Sequence, residues 1–414
     1  MNDHTIKKTV FMRREHTLPF ILLFLILFTG PAKAQDKNAK QLSLDEAISI
    51  ALDNNPEIQN AGLQVTKSIT QKKGAWIFDP LEFMYHYGQI NAPVNDRYIE
   101  INQNFGSLLT HIQQRSMAKK QVEASLAELE ISKRSLTAQV ESAYFFWWYM
   151  HEKLLLGKEE TLIYDDMKRI ADLRYQLGEF SDLEKMMASA RSAEIENNFG
   201  VLSDEFMIAE NKLKQLMMTE APIIPPDGSI PMYQIDKPSD TSTFSNAIVT
   251  EFYKKSAELS SVAIKSERAR FFPELNAGFF YQDMYPLKGL TGWHFGFSFP
   301  LLAFNQASKI KAARIEEEIA LNQLEQMAFS TDKTIENLIA ELTKYFRQLQ
   351  YYNEYALKQA DEIIRNARLQ FEKENMEYME YVQSLSMALS IKVQYLETLN
   401  NYNQTAIQLE FYAY

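Results

Sequence analysis

Two short stretches carry candidate acidic side chains: Glu179, Asp182 and Glu184 in "RYQLGEFSDLEKM", and Glu374, Glu377 and Glu380 in "QFEKENMEYMEYV". Carboxylates gathered at one end of a helical run and repeated about an axis make a ring that favours cations and can gate a bore. The same acids are favoured near a helix N-terminus by the backbone dipole alone. Arg174 and Tyr175 open the first stretch and are candidates to latch neighbouring helices, with Gly178 supplying the turn. The rest of the inventory for chemistry is thin. There is no cysteine, which excludes disulfides, zinc thiolate sites and a cysteine nucleophile. His86, His111, His151 and His294 are never three or four residues apart, and no HExxH occurs. The 17 methionines are scattered, and the adjacent pairs Met186–Met187 and Met217–Met218 point to different helix faces. They read as core filler, not a soft-metal relay. No phosphate loop, GxSxG elbow or nucleophile constellation is present. The expectation is a protein without catalysis, cofactor or bound metal. A formal charge of −11 carries no basic nucleic-acid footprint.

The elements that position those residues begin after an export signal. Lys7, Lys8, Arg13 and Arg14 precede an apolar run from Leu18 to Phe28, and "AKA" (Ala32 to Ala34) offers a small-x-small cleavage site. Residues 1–34 are therefore expected to be removed, leaving Gln35 first. The apolar run is too short for a spanning helix of ~20 residues. No later stretch offers ~18 consecutive apolar residues.

Proline and glycine divide what remains. Between Val94 and Ala221 there is no proline, and from Leu301 to Tyr414 neither proline nor glycine. Both runs are rich in strong helix formers. The proline-rich stretch 221–245 separates them as a linker. Each half follows one plan, so 35–220 and 246–414 read as two structural repeats. "FDPLEF" (78–83) matches "FFPELN" (271–276), Phe105 matches Phe299, and the two acidic stretches match each other. Each repeat is expected to hold a β-hairpin, at about 80–106 and about 273–300. A long helical hairpin follows, with its tip at about 175–182 and about 371–378. At 1.5 Å per residue the longer runs would extend ~100 Å, so the helices must lie side by side. Leu342, Tyr345, Leu349, Tyr352, Ala356, Ile363 and Ala367 supply the apolar seam. Ser43 with Glu46 predicts a capping box on a first short helix, and a second helix is expected to run from about Glu57 to Ile77. "AYFFWWYM" (143–150) is apolar all round and reads as core, or as a girdle packed against the linker.

The strands alternate. In "GWHFGFSFP" (292–300) Trp293, Phe295, Phe297 and Phe299 share one side, with His294, Gly296 and Ser298 on the other. Phe83, Tyr85 and Tyr87 oppose Glu82 and His86. Glu100 and Asn102 oppose Ile99 and Ile101, with Gln103 breaking the apolar side. Phe279 and Tyr281 oppose Asn276, with Phe280 out of pattern. A water-facing sheet over a soluble core is the ordinary explanation of one such hairpin. Here the apolar side is rich in rings and no globular core is evident to cover it. A transmembrane barrel explains the pattern, with Phe83, Tyr85, Tyr87, Phe279, Tyr281, Trp293, Phe295 and Phe297 toward lipid. Glu82, His86, Glu100, Asn102, Asn276, His294 and Ser298 would then line the lumen. Known barrels begin at 8 strands, so the chain must pool its strands with other copies. An 8-stranded barrel is filled by side chains, which favours three copies over two for a conducting duct.

With those features in place, the sequence resembles the TolC-type outer-membrane efflux channels over about 41–414. The carriers are "LSLDEAISIALDNNPEI" (42–58), "ARFFPEL" (269–275), "RYQLGEFSDLEKMMASA" (174–190) and "EYVQSLSMALSIKVQYLETLNNYNQ" (380–404). The resemblance implies a mainly α fold with a small transmembrane β part. Long antiparallel helical hairpins would form an α-barrel tunnel, with four strands per chain in a shared trimeric β-barrel. It also implies a homotrimer in the outer membrane of a Gram-negative bacterium, docked to a periplasmic adaptor protein and an inner-membrane pump. That family's tips usually carry glycine in both halves, whereas Glu374 stands in the second tip here. An exported coiled-coil scaffold or adhesin is the competing expectation, and the four alternating strands argue against it. The cargo is not written in these residues.

Overall fold

A computed structural model describes residues 40–76, 78–91, 93–235, 248–298 and 303–413. The export signal, Phe299 and residues 236–247 of the linker lie outside them. The first turns are set by caps. Helix α1 (Leu44–Asn54) starts at Ser43, whose hydroxyl accepts the Glu46 N–H at 3.3 Å. The Glu46 carboxylate accepts the Ser43 N–H in return, so two orphan donors are satisfied together. Asn55 then caps α2 (Pro56–Lys73), whose proline sits where no N–H is needed. That helix stops at Gly74, a turn short of the sequence-based expectation.

Two strands, β2 (Glu82–Gly88) and β3 (Asp96–Gly106), form the first hairpin. The chain then enters α3 (Leu108–Gln176), 69 residues long, and returns as α4 (Asp182–Met217). The second half repeats this order. Helix α5 (Ile248–Ala269) precedes β5 (Glu274–Met284) and β6 (Leu287–Ser298). Helix α6 (Ala303–Tyr351) passes through a π-turn, Tyr352–Ala356, into α7 (Leu357–Glu372), and α8 (Tyr378–Ala413) returns. The π-turn inserts a residue into the helical ladder. Leu349, Ala356, Ala360 and Ala367 are buried on either side of it, so the apolar seam stays on one side. No described helix is long and apolar enough to cross a membrane.

The helices pack side by side in two tiers. Beside the sheet, α2 packs on α3, α3 on α5, and α5 on α6. Toward the far end α4 packs on α3, α3 on α8, and α8 on α7. Where the tiers meet lies the largest core. "AYFFWWYM" supplies Tyr144, Phe145, Trp147 and Trp148 to it, all buried, while Phe146 faces out. The linker crosses this core as a strap. Its strand β4 (Ile223–Ile224) pairs in parallel with β1 (Lys40–Gln41). Ile230 and Tyr233 of the strap are buried against the core, with the Tyr233 ring 5.4 Å from Phe145. The segment is thus both core and girdle contact.

Trp147 is fully buried. Its replacement by alanine removes a large ring from a site that cannot collapse, at a cost of about 3–5 kcal/mol. Thermal unfolding of W147A followed by circular dichroism should show a correspondingly lower midpoint.

Candidate functional site

The four long strands make one antiparallel sheet in the order β2-β3-β5-β6. Its register decides which side chains share a face. Phe83, Ile101, Phe279 and Trp293 form one row across all four strands, and Tyr85, Ile99, Tyr281 and Thr291 the next. Phe295 pairs with Ala277 and Phe297 with Leu275 on the same face. The rings stand out from it, with Phe295 81% and Trp293 72% exposed. Gln103, which interrupts this face, donates to the Asp79 carbonyl at 2.6 Å. At the hairpin end Arg97 pairs with Asp283 at 2.5 Å and lies over the Tyr281 ring.

The opposite face carries the other set of candidates. Glu82, Asn102, Gly278 and His294 form one row, and Met84, Glu100, Phe280 and Gly292 the next. Asn276 pairs with Gly296, and Ser298 with Glu274. His294 reaches across β5 to bring Nε2 within 3.4 Å of Glu100 Oε1. A Cβ at Gly278 would meet that imidazole at 2.3 Å, so glycine is what lets the ring lie flat on the sheet. Gly292 does the same for the Phe280 ring, at 2.5 Å. Phe280 was out of pattern in the sequence; here it stacks on Tyr98 at 5.8 Å, and the Tyr98 hydroxyl donates to Glu100 at 2.9 Å. The His86 ring meets Tyr98 edge-on. Tyr98 was not among the expected site residues. Its signal was indirect: Phe280, the residue out of pattern, turns out to be its stacking partner.

Between sheet and helices lies a tight knot that no spacing along the chain announces. Gly106 turns at φ +65, and His111 Nε2 lies 2.8 Å from the Phe105 carbonyl. Trp76 stacks on the buried imidazole at 5.5 Å, with Phe78 edge-on. Strand β3 is thereby fixed at a set angle to α3.

At the far end both hairpins turn in one way. The Gly178 N–H donates to the Tyr175 carbonyl at 3.0 Å, and the Glu179 N–H to Arg174 at 2.9 Å. In the second tip the Glu374 N–H donates to Phe371 at 3.2 Å, and the Asn375 N–H to Gln370 at 2.9 Å. Both closures need a left-handed residue. Gly178 has φ +78, and Glu374 takes φ +60 although it has a side chain. The Arg174 guanidinium lies 4.8 Å from the Phe371 ring centre and 5.4 Å from that of Phe180. It also donates to the Phe371 carbonyl at 3.4 Å, so it ties α3 to α7 within one chain. Tyr175 does not join that contact; its ring meets Lys185 of its own hairpin at 4.6 Å.

The acids divide. Glu184 turns back to accept the Ser181 N–H at 2.7 Å, and those hydrogen bonds hold its pKa below the usual carboxylate value. It therefore also caps α4. Glu179, Asp182, Glu374, Glu377 and Glu380 are exposed. They gather at one end because the two tips touch, with Phe180 5.9 Å from Tyr378. Among the described residues no group of three His, Asp or Glu side chains is arranged to hold a metal.

Neither a protein-family sequence model nor any curated protein's sequence matches the chain. Solved structures do match. The CmeC outer membrane channel of Campylobacter jejuni superposes with a TM-score of 0.77 at 14% identity, over 89% of this chain and 85% of that one. VceC, an outer membrane protein of Vibrio cholerae, gives 0.73 at 14%, over 89% and 94%. MtrE, an outer membrane channel of Neisseria gonorrhoeae, gives 0.73 at 14%, over 89% and 88%. The chain has the outer-membrane channel fold. That fold is mainly helical with a small antiparallel sheet, as the sequence led one to expect.

A left-handed backbone costs a residue with a Cβ about 1–2 kcal/mol. Glu374→Gly should therefore stabilise the second tip by about 1 kcal/mol, and Gly178→Ala should weaken the first by a similar amount. Amide exchange at residues 371–378 and 175–182 reads both changes.

Proposed function

We propose that this chain is one protomer of a homotrimeric outer-membrane exit duct, through which a pump expels solutes from a Gram-negative cell. The observation that carries this reading is the two-faced, four-stranded sheet with both edges open. Its ring-bearing face suits lipid, and its polar face suits a watery bore. In hydrocarbon every backbone N–H and C=O must be paired, so β2 and β6 need partners. Three copies supply twelve strands, enough to leave a lumen. The fold shared with outer-membrane channels points the same way.

The helical layer supports the same assembly. Its edges are α2 and α6 beside the sheet, and α4 and α7 toward the tips. Those edges expose large apolar side chains: Leu63 on α2, Phe304 and Phe329 on α6, Leu183 and Ile208 on α4, Leu369 on α7. Joining α6 to the α2 of a neighbouring copy, and α7 to its α4, covers them and closes a tunnel. Phe83, Tyr85, Tyr87, Phe279, Tyr281, Trp293, Phe295 and Phe297 then face lipid. Glu82, His86, Glu100, Asn102, Asn276, His294 and Ser298 line the bore. Asp182, Glu374 and Glu377 ring the mouth, Arg174 holds each pair of hairpins together, and a periplasmic adaptor docks at the tips to link the duct to an inner-membrane pump. The duct does no chemistry, and the energy comes from the pump.

Two measurements test this. The purified chain should require detergent and run as a heat-modifiable trimer. Phe295→Arg should lower the fraction assembled in vesicles, because a cation facing mid-membrane lipid costs about 2–4 kcal/mol. A water-soluble monomer would overturn the reading. In planar bilayers the trimer should conduct, and Asp182→Asn with Glu374→Gln should reduce its preference for cations. An unchanged preference would remove the carboxylate ring from the mechanism.

A further inference from the structure

The helix ends beneath the sheet are basic, in a chain whose formal charge is −11. The parts of α2, α3, α5 and α6 nearest the strands are residues 61–73, 108–120, 257–269 and 303–315. Together they carry eleven Lys/Arg and two acids, Glu258 and Glu267. The helix dipole does not account for this. It favours cations at the ends of α2 and α5, but acids at the starts of α3 and α6, where none occurs.

The charge also has a side. Buried Ser68 and Ser125 bond at 2.9 Å where α2 meets α3, and Lys120 donates to Glu258 at 2.7 Å where α3 meets α5. Two sides of α3 are left open. On one, Gln114, Met117 and Gln121 line a groove to which α2 adds Gln64 and Gln71, with no charged side chain among its walls. The other starts with exposed Leu108 and Ile112 and continues with exposed Arg115 and Lys119, at helical steps of four, three and four. Two residues along a helix turn ~200°. Lys73 therefore lies on the far side of α2 from Gln71, as Arg115 lies on the far side of α3 from Met117. On α5, Glu267 accepts from Gln306 of α6 at 2.9 Å, and the Ala269 carbonyl accepts from Thr110 of α3 at 3.1 Å. Arg268 stands between them, and the right-handed winding of α5 turns it to the Arg115 side. Lys73, Arg115 and Arg268 are exposed and pair with no carboxylate among the described residues, while Lys119 has Glu123 at 4.0 Å.

The order along α3 is that of a membrane boundary. This helix lies inside the layer, so no neighbouring copy covers Leu108 and Ile112. Facing water they would be bare; facing a bilayer they meet hydrocarbon. Arg115 and Lys119 then follow ~5 and ~10 Å beyond Ile112. The polar layer of a bilayer is ~5–8 Å deep on each side, within reach of long basic side chains. Trp76, half exposed and stacked on His111 beside this face, is a residue type that settles at that boundary.

We propose that this side of α2, α3 and α5 is a collar that docks the anionic phospholipid headgroups of the leaflet facing the helices. The proposal rests on the outer-membrane reading and adds to it a choice among lipids. Arg115 and Arg268 hold phosphate oxygens through planar guanidinium groups, and Lys73 and Lys119 add point charge. The uncharged glutamine groove on the opposite side is left to the bore.

Boundary lipid tests this, with the purified full chain in phosphatidylcholine vesicles. Electron spin resonance compares the motionally restricted fraction of spin-labelled phosphatidylglycerol with that of spin-labelled phosphatidylcholine. The wild type should select phosphatidylglycerol roughly fivefold at ~20 mM salt, and less at ~500 mM, where the charges are screened. Changing Lys73, Arg115, Lys119 and Arg268 together to Gln should bring the selectivity close to one. Changing Lys158, Lys168, Lys212 and Lys358 to Gln removes as much charge farther from the sheet, and should leave the selectivity intact. Equal restriction of both labels by the wild type would overturn the collar and leave the duct standing. So would a collar variant that selects as the wild type does, or a distant variant that loses selectivity as fully. If the chain restricts neither label, it is not in the bilayer, and the duct reading falls together with the collar.

Discussion

A strand at the edge of a sheet presents a row of unpaired N–H and C=O groups, and hydrocarbon offers them no partner. Two such rows are open here, on β2 and β6, beside faces whose rings point away from any core of this chain. Most of the architecture answers to that constraint. Four strands per chain are too few to close a wall, and in the proposed duct the two hairpins of each copy are pooled with those of its neighbours. The helices follow the strands in the same lateral order, α2, α3, α5 and α6 beneath β2, β3, β5 and β6. An unclosed sheet therefore continues into an unclosed helical layer, and in the proposed trimer one set of neighbouring copies completes both.

The two ends of that layer are held by different physics. At the sheet end, the knot of Trp76, His111, Phe105 and Gly106 is a rigid joint of stacked rings and one backbone hydrogen bond. At the tips, the Arg174 guanidinium lies over two rings above a smaller apolar cluster that includes Tyr164, Phe371 and Tyr378, and one of the two turns carries the strain of a left-handed glutamate. Rigid packing suits a wall in a membrane. In the proposed duct, a cation held over rings with strain beside it suits an end that opens. Between them the strap binds the halves by hydrogen bonds through Asn403 and Tyr233 and by ring packing on Phe145.

Much of the fold could be read directly. The capping box at Ser43 and Glu46 needs only residues three apart, and it is present. The alternation in β6 is visible because the period of a strand is two, and Trp293, Phe295 and Phe297 do share a face. The site was less legible. Glu184 looked like one more tip acid, but its role depends on the hydroxyl of Ser181 folding back on it. Tyr175 looked like a partner to Arg174, yet one residue is 100° of helix away, which turns it toward Lys185 and away from α7. Phe280 looked like a break in a pattern, because the gap left by Gly292 on the neighbouring strand is invisible along the chain.

The sequence by itself determined the local periods, the caps and the duplication, because each depends on residues a few positions apart or on one stretch compared with another. From these follow the helical hairpins and the two-faced strands. Only the tertiary structure decided which side chains meet across elements. His294 reaches Glu100, Arg174 reaches Phe371, and Tyr233 reaches Glu410, partners nearly two hundred residues away. Such meetings are fixed by how helices and strands pack side by side, and no spacing along the chain encodes that geometry.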